Sequence, residues 1–353
     1  MTPRPDSTAS QLASHLGPTE RIFAGPRMRA LAAVVDDGLV RVEALLADEL
    51  RAADPLADAA GRYLFEAGGK RVRPMLTLLA AQLGDGTGDE VIAGAAALEL
   101  THLGSLYHDD VMDGADTRRG VPSAQSVWGN NVAILTGDLL FSRASQVMAG
   151  LGERAIRMQA DTFERLVLGQ MHETVGAQAG DDPVEFYLQV LADKTGSLIA
   201  ASAQAGVLFS NAPAAYEKPL LDFGEKAGIA FQLLDDVIDL SADAAETGKV
   251  PGTDLRAGVP TMPYLLLGRA GDAASQHLKT AIDDGVARIA DGAAPGILDT
   301  ALAQLRDHDA TEQTRRLAVT WSEEAVAALE PLPSGPVREA LTRFARFVVD
   351  RSR

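Results

Sequence analysis

The chain carries one acidic pattern twice. Asp109-Asp110-Val111-Met112-Asp113 and Asp235-Asp236-Val237-Ile238-Asp239 share a pair of aspartates followed, three residues on, by a third. On an α-helix the first and fifth residues of each cluster lie about one turn apart on one face, and the second lies roughly 100° round. Each cluster is then a cage of carboxylate oxygens. Such cages suit hard cations, which keep several waters and complete their shell with substrate phosphates. Two solvated acidic helix ends are the plainer use, and one cluster in a chain with 49 acidic residues would not argue against it. The second copy does.

The material around the clusters favours helices. Alanine and leucine dominate, aromatic residues make up only 5%, and alternating valine-rich runs are scarce, so an all-α chain is expected. With 46% hydrophobic residues over 353 positions it can bury one large core. A net charge of −17 excludes nonspecific binding to nucleic acid and adsorption to an anionic bilayer, because both partners are polyanions. There is no cysteine, hence no disulfide or thiolate chemistry, as fits a reducing cytoplasm. No apolar run reaches about 18 residues, and residues 1–25 lack the apolar stretch of a secretory signal, so neither a transmembrane segment nor export is expected. Residues 1–25, with Pro3, Pro5 and Pro18, read as a loosely ordered arm before a single domain over residues 26–353.

Several basic segments complement the aspartates. Gly68-Gly69-Lys70-Arg71-Val72-Arg73-Pro74 sets two glycines beside three cations and lets Pro74 open a helix, which is the composition of an anion site. A surface basic loop is its plainer reading. His102 stands two turns before Asp109 on nearly the same face and so faces the same cavity, unless it is a satisfied core histidine. Arg118 and Arg119 follow the first cluster on a turn, where they bind a shared ligand or neutralise the aspartates. Asp193-Lys194-Thr195-Gly196-Ser197-Leu198 interrupts an apolar helical run, and its glycine weakens the hydrogen-bond ladder there. Phe231 and Gln232 share a face with Asp235. The loop from Gly248 to Gly258 delivers Lys249. Leu135-Thr136-Gly137-Asp138-Leu139-Leu140-Phe141 reads as a helix packed through its glycine, and Glu173 as a solvated helix residue.

In combination, Gly68 to Pro74, His102, Asp109 to Asp113, Arg118-Arg119, Lys194-Thr195, Phe231 to Asp239 and Gly248 to Gly258 resemble the trans-isoprenyl (polyprenyl) diphosphate synthase family, from about residue 28 to the C-terminus. The resemblance implies a single-domain antiparallel helical bundle around a deep central cavity, usually in a homodimer. It implies a Mg²⁺-dependent prenyltransferase that condenses isopentenyl diphosphate with an allylic prenyl diphosphate. Asp109 and Asp113 would hold two Mg²⁺ ions, and Asp235 a third with Asp239 acting through water. Arg118, Lys194 and Lys249 would hold the allylic diphosphate. Lys70, Arg73, His102 and Arg119 would hold isopentenyl diphosphate, and Thr195 and Gln232 would face the reacting carbons. Contact with a membrane is needed at most transiently, for product release.

Product length in this family depends on side chains that close the cavity beneath the first cluster. Residues four and five before Asp109 lie about one turn, roughly 5.4 Å, deeper along the helix, and here they are Ser105 and Gly104. Neither forms a floor, so a long all-trans product is expected, as for the side chain of a respiratory quinone. A geranylgeranyl or other short-chain product follows if another helix, such as that of Phe141, supplies the floor. Two rivals are weaker. A terpene cyclase leaves Lys70, Arg73 and the second cluster without a use, and a metal-dependent phosphohydrolase built on His102, His108 and Asp109 leaves Asp235 to Asp239 unexplained.

Overall fold

A computed structural model of the chain describes residues 22–23, 28–241 and 251–350, the side chain of Asp350 excepted. Almost all regular structure among them is helical, as expected. The residues form two compact units. One comprises the described residues up to Glu164 together with Leu198–Gly224 and Ala328–Phe344, and the other Arg165–Ser197, Glu225–Ala327 and the residues from Ala345 on. Of the N-terminal arm only Ile22 and Phe23 are described, both buried, with the carbonyl of Ile22 accepting from Arg343 Nη1 at 3.3 Å.

The first unit begins with helix α1 (Arg29–Glu49), which is buried at Leu31, Val35, Leu39, Val42 and Leu46, while Val34 faces outward. The helix does not run on into the next. Asp54 stops it and starts α2 (Pro55–Glu66) by accepting from the backbone N–H of Leu56 and Ala57, with Pro55 at the first helical position. Helix α3 (Val72–Ala81) is almost wholly buried. The next, α4 (Asp89–Met112), is apolar on most faces and ends in the first acidic cluster. A hairpin of two short strands, β1 (Thr117–Arg118) and β2 (Val121–Pro122), follows. Its turn residues Arg119 and Gly120 both have positive φ, at 54° and 80°, as a two-residue turn needs to match strand twist.

Beyond it come α5 (Ala124–Trp128), α6 (Asn130–Gly150) and α7 (Glu153–Val175). Helices α4 and α6 pack at backbone distance, because a Cβ on Gly137 would lie 2.4 Å from the His108 ring and 3.0 Å from the carbonyl of Gly104. This is the glycine-mediated packing read from the sequence of α6.

The second unit contains α8 (Pro183–Leu191), capped by Asp182 exactly as α2 is capped by its own aspartate, and then a five-residue π-helical turn over Ala192–Gly196 at the interruption expected around Lys194. The chain then returns to the first unit for α9 (Ser197–Phe209) and the start of α10 (Glu217–Leu240), whose later part, in the second unit, carries the second acidic cluster. Then follow α11 (Thr253–Arg256), α12 (Met262–Arg269), α13 (Ala273–Ala290), α14 (Asp299–Arg306), α15 (Asp309–Ala328) and α16 (Pro336–Asp350). Val184, Tyr187, Leu233, Leu240, Met262, Leu266, Ile282 and Leu302 are among the core of this unit. No helix among the described residues is long and apolar enough to cross a membrane.

Candidate active site

The last turn of α4 divides the labour of its three aspartates. Asp109 is half-buried and Asp113 is exposed at the helix end, whereas Asp110 is fully buried. Its Oδ1 accepts from Nε and Nη2 of Arg118, both at 2.6 Å. Burial pushes the Asp110 carboxyl above the usual carboxylate range, and Arg118 opposes the rise. Of the two sequence readings for Arg118, neutralising an aspartate is therefore realised in this geometry. Its guanidinium remains about a third exposed.

The basic loop likewise separates its cations. Arg71 has a left-handed backbone, with φ of 46°, and points inward. It pairs with Glu43 and, at 3.3 Å, with buried Glu99, and it lies 5.0 Å over the ring of Phe65. Arg71 is thus a brace. Arg73 is half-buried, with an Nε that has no hydrogen-bond partner among the described residues. Burial lowers its pKa to about 10, with Glu99 and Asp109 pulling upward and Arg119 pushing further down. Arg119, also left-handed, donates from Nη1 to the carbonyl of Leu64 at 2.7 Å and to that of Gly68. Lys70 is exposed.

His102 sits in the same neighbourhood. Burial, then the charges of Arg73, Arg119, Arg71 and Arg118, hold its imidazole well below the ordinary histidine pKa, so it is neutral at pH 7. Arg73, His102, Arg119 and Asp109 are therefore brought together as the sequence suggested. Glu99 was not foreseen, although a lone glutamate in the apolar run from Val91 to Leu100 was a legible signal. His108 does not join His102 in a metal pair. Its Nε2 lies 3.0 Å from the carbonyl of Ile134 and 3.4 Å from Asp138, which removes the geometry a His-Asp phosphohydrolase would need. Below the cluster, the ring of Phe141 lies 3.3 Å from where a Cβ on Gly104 would stand and 4.5 Å, centroid to centroid, from Phe163. An aromatic side chain from α6 thus occupies the space that Gly104 leaves.

In the second unit, Asp235 is half-buried and Asp236 is 4% exposed. Both Asp236 oxygens accept from the Tyr187 hydroxyl, at 3.1 and 3.0 Å, and Oδ2 also accepts from the Met262 N–H at 3.0 Å. Asp239 accepts from the N–H groups of Thr253 at 3.2 Å and Asp254 at 3.4 Å. Gln232 and Phe231 are half-buried on the same helix. Lys194, in the π-turn, pairs with Glu173, so Glu173 is not the solvated residue the sequence suggested.

The π-turn around Lys194 is held tightly. Asp193 accepts from Arg165 Nε at 2.7 Å and Gln189 Nε2 at 2.8 Å, and Arg165 also bonds Glu225 at 2.7 Å. A Cβ on Gly169 would lie 2.6 Å from the Lys194 nitrogen, so glycine is required for α7 to pass. Thr195 is half-buried beside it. Lys249 lies outside the described residues.

No group of three or more His, Cys, Asp or Glu side chains among the described residues closes around an ion by itself. Asp109 and Asp113 in the first unit, and Asp235 by itself in the second, offer carboxylate oxygens, the donor type that fits a hard divalent cation whose shell is completed by water and phosphate.

Residues 54–292 match the sequence profile of the family described as Polyprenyl synthetase. A nonaprenyl diphosphate synthase from Mycobacterium tuberculosis is 42% identical over 321 residues, covering 91% of this chain and 94% of that protein. The crystal structure of a decaprenyl diphosphate synthase from Rhodobacter capsulatus matches with a TM-score of 0.80 at 34% identity, covering 93% of this chain and all of the other. A geranylgeranyl pyrophosphate synthase from Corynebacterium glutamicum, complexed with calcium and isoprenyl diphosphate, matches with a TM-score of 0.79 at 37% identity, covering 93% and 98%.

Proposed function

Because this chain belongs to the polyprenyl synthetase family, we propose that it is a divalent-metal-dependent prenyltransferase. It condenses isopentenyl diphosphate head to tail with an allylic prenyl diphosphate, giving a long all-trans polyprenyl diphosphate. The observation that carries this reading is the half-buried basic group of Arg73, neutral His102 and Arg119 beside Asp109. A reaction joining two diphosphates needs an anion site that uses protein cations next to one that uses metal. A cyclase with a single diphosphate does not.

Lys70, Arg73 and Arg119 hold the diphosphate of isopentenyl diphosphate, with His102 donating without adding charge. Asp109 and Asp113 would hold two Mg²⁺ ions, and Asp235 and, through water, Asp239 would hold a third. Bound there, the ions supply Lewis-acid stabilisation of the departing allylic diphosphate. Arg118, Lys194 and Lys249 add positive charge to the same leaving group. Thr195, in the π-turn, and Gln232 present dipoles to the allylic cation and keep water from it. The isopentenyl double bond attacks that cation, and the proton then lost goes to the released diphosphate, so no side chain is needed as base. The calcium in the geranylgeranyl synthase neighbour supports a divalent metal, and we assign Mg²⁺.

The nonaprenyl and decaprenyl relatives and the small residues Gly104 and Ser105 support a long product, used as the side chain of a respiratory quinone. The position of Phe141 and the likeness to a geranylgeranyl pyrophosphate synthase favour a shorter chain. We read residues 26–353 as one catalytic domain of a cytoplasmic homodimer, which meets a membrane only when product leaves. Exposed Ile134 and Leu135 on α6, and exposed Leu168, Met171 and Val175 on α7, are apolar surface consistent with self-association. Incubation with labelled isopentenyl diphosphate, an allylic diphosphate and Mg²⁺, followed by chromatography of the lipid extract, tests the reading. A linear diphosphate of more than four isoprene units is expected. Absence of any elongated product would refute it.

A further inference from the structure

The second aspartate of each acidic cluster turns into the protein, and the second unit ties it down further. Asp110 meets one partner, Arg118, and keeps Oδ2 without a hydrogen bond. Asp236 is bonded through both oxygens, to the Tyr187 hydroxyl from α8 and to the Met262 N–H that opens α12. Three helices of the second unit, α8, α10 and α12, therefore meet on one carboxylate.

The hydroxyl of Tyr187 has no other use that packing requires. The residue is 9% exposed in an apolar core, where a phenylalanine of the same outline would fill the space. Burying a carboxylate costs free energy unless it is hydrogen-bonded, so an apolar residue at 236 would serve packing alone at least as well. What the arrangement fixes is rotation. Successive residues of an α-helix are set about 100° apart, so holding Asp236 inward sets the direction of Asp235, one residue before, and of Asp239, three residues on. Asp239 is held in turn by the N–H groups of Thr253 and Asp254, and its carbonyl accepts from Gly252 at 2.8 Å.

We propose that Tyr187 is a positioning residue for the reaction: its hydroxyl, acting through the Asp236 carboxylate, sets the rotation of α10 and so aims Asp235 at the metal. The inference rests on the metal role given to Asp235 under the proposed function, and the test separates the two.

The full-length chain and its Tyr187→Phe, Asp236→Asn and Asp235→Ala variants are titrated with MgCl₂ in the presence of inorganic pyrophosphate. The rise of the thermal unfolding midpoint is followed, and steady-state kinetics are measured alongside. Tyr187→Phe is expected to raise the Mg²⁺ concentration for half-maximal stabilisation roughly tenfold, the lower edge of what losing an outer-shell partner costs. The Michaelis constant for isopentenyl diphosphate stays at the wild-type value, while the metal-free unfolding midpoint falls, because Asp236 Oδ1 loses its hydrogen bond. Asp236→Asn, which keeps an acceptor oxygen, is expected to fall between Tyr187→Phe and wild type, and it carries the test should Tyr187→Phe not fold. Asp235→Ala raises the requirement most. An unchanged Mg²⁺ requirement in Tyr187→Phe beside a raised one in Asp235→Ala overturns the inference alone. No change in Asp235→Ala overturns the metal reading and the inference with it. A loss in Asp236→Asn as large as that in Asp235→Ala makes Asp236 a ligand and overturns the positioning role.

Discussion

The two acidic clusters share their sequence spacing and differ in almost everything that surrounds them. The first ends a buried helix among four arginines; desolvation and then their charges keep His102 neutral, and desolvation with the charge of Arg119 lowers Arg73 to about 10. The second is held by a tyrosine hydroxyl and by backbone N–H groups at the starts of α11 and α12. One motif is thus served by two kinds of scaffold. Where a second anion must bind nearby, the scaffold is cationic. The bonds that hold Asp236 and Asp239 come from a hydroxyl and from backbone N–H groups.

The sharpest way to break this comparison is to remove one outer aspartate from each side. Asp109→Ala and Asp235→Ala should each lower turnover by roughly 100- to 1,000-fold, the scale of losing an electrostatic contact made in the transition state, with circular dichroism unchanged. Wild-type turnover by either variant at saturating Mg²⁺ would remove that cluster from the reaction.

A smaller effect distinguishes the substrates. Arg73→Ala should raise the Michaelis constant for isopentenyl diphosphate by about 10- to 100-fold, as losing a charge-assisted contact of 1.5–3 kcal/mol would, and leave that for the allylic substrate near wild type. Lys70→Ala should do the same more weakly, because Lys70 is exposed. Lys249→Ala should instead impair the allylic substrate. Equal effects on both substrates would mean that the cationic surroundings of the first cluster do not form a separate anion site.

These contrasts show where sequence stops being informative. The carboxylate spacing, the basic loop, the break at Lys194 and the packing glycine of α6 were legible, because helical period and glycine geometry are local properties. The split between Asp109 and Asp110, or Asp235 and Asp236, was not, since which side of a helix faces inward is decided by its neighbours. Arg71 and Arg73 read alike in sequence, and only the left-handed backbone at Arg71 turns that side chain toward Glu43 and Glu99. Tyr187 lay in an ordinary apolar helix and gave no local sign of its bond to Asp236.

The pH dependence of stability sharpens the comparison from the first unit. His102 has a folded pKa well below that of an unfolded histidine, about 6.5, so below that pH the unfolded chain takes up a proton that the folded chain refuses. Its neutral burial therefore leaves stability untouched above about pH 6.5 and lowers it as pH falls beneath, by at most about 1.4 kcal/mol per pH unit. His102→Gln should flatten that part of the profile in denaturant unfolding. An identical slope in wild type and variant would show that His102 is protonated among its arginines.

The smallest expected effect on rate concerns product length. Replacing Gly104 by a large residue is a poor probe, because even a Cβ there would lie 3.1 Å from the carbonyl of Gly137 and 3.3 Å from the Phe141 ring, so the variant would strain the α4–α6 contact. Phe141 is the better target. It is half-buried, stacks near Phe163 and fills the room Gly104 leaves, so it can form the floor that α4 itself does not supply. Truncating it opens a depth comparable to one helical turn, about 5.4 Å, close to one isoprene unit. Phe141→Ala should accordingly lengthen the main product by one or two units while the rate of each addition changes by less than about threefold, since the side chain touches no diphosphate or metal in the proposed site. Reversed-phase chromatography of the dephosphorylated products reads the change. A product distribution identical to wild type would place the floor elsewhere and leave the small residues of α4 as the reason for a long chain.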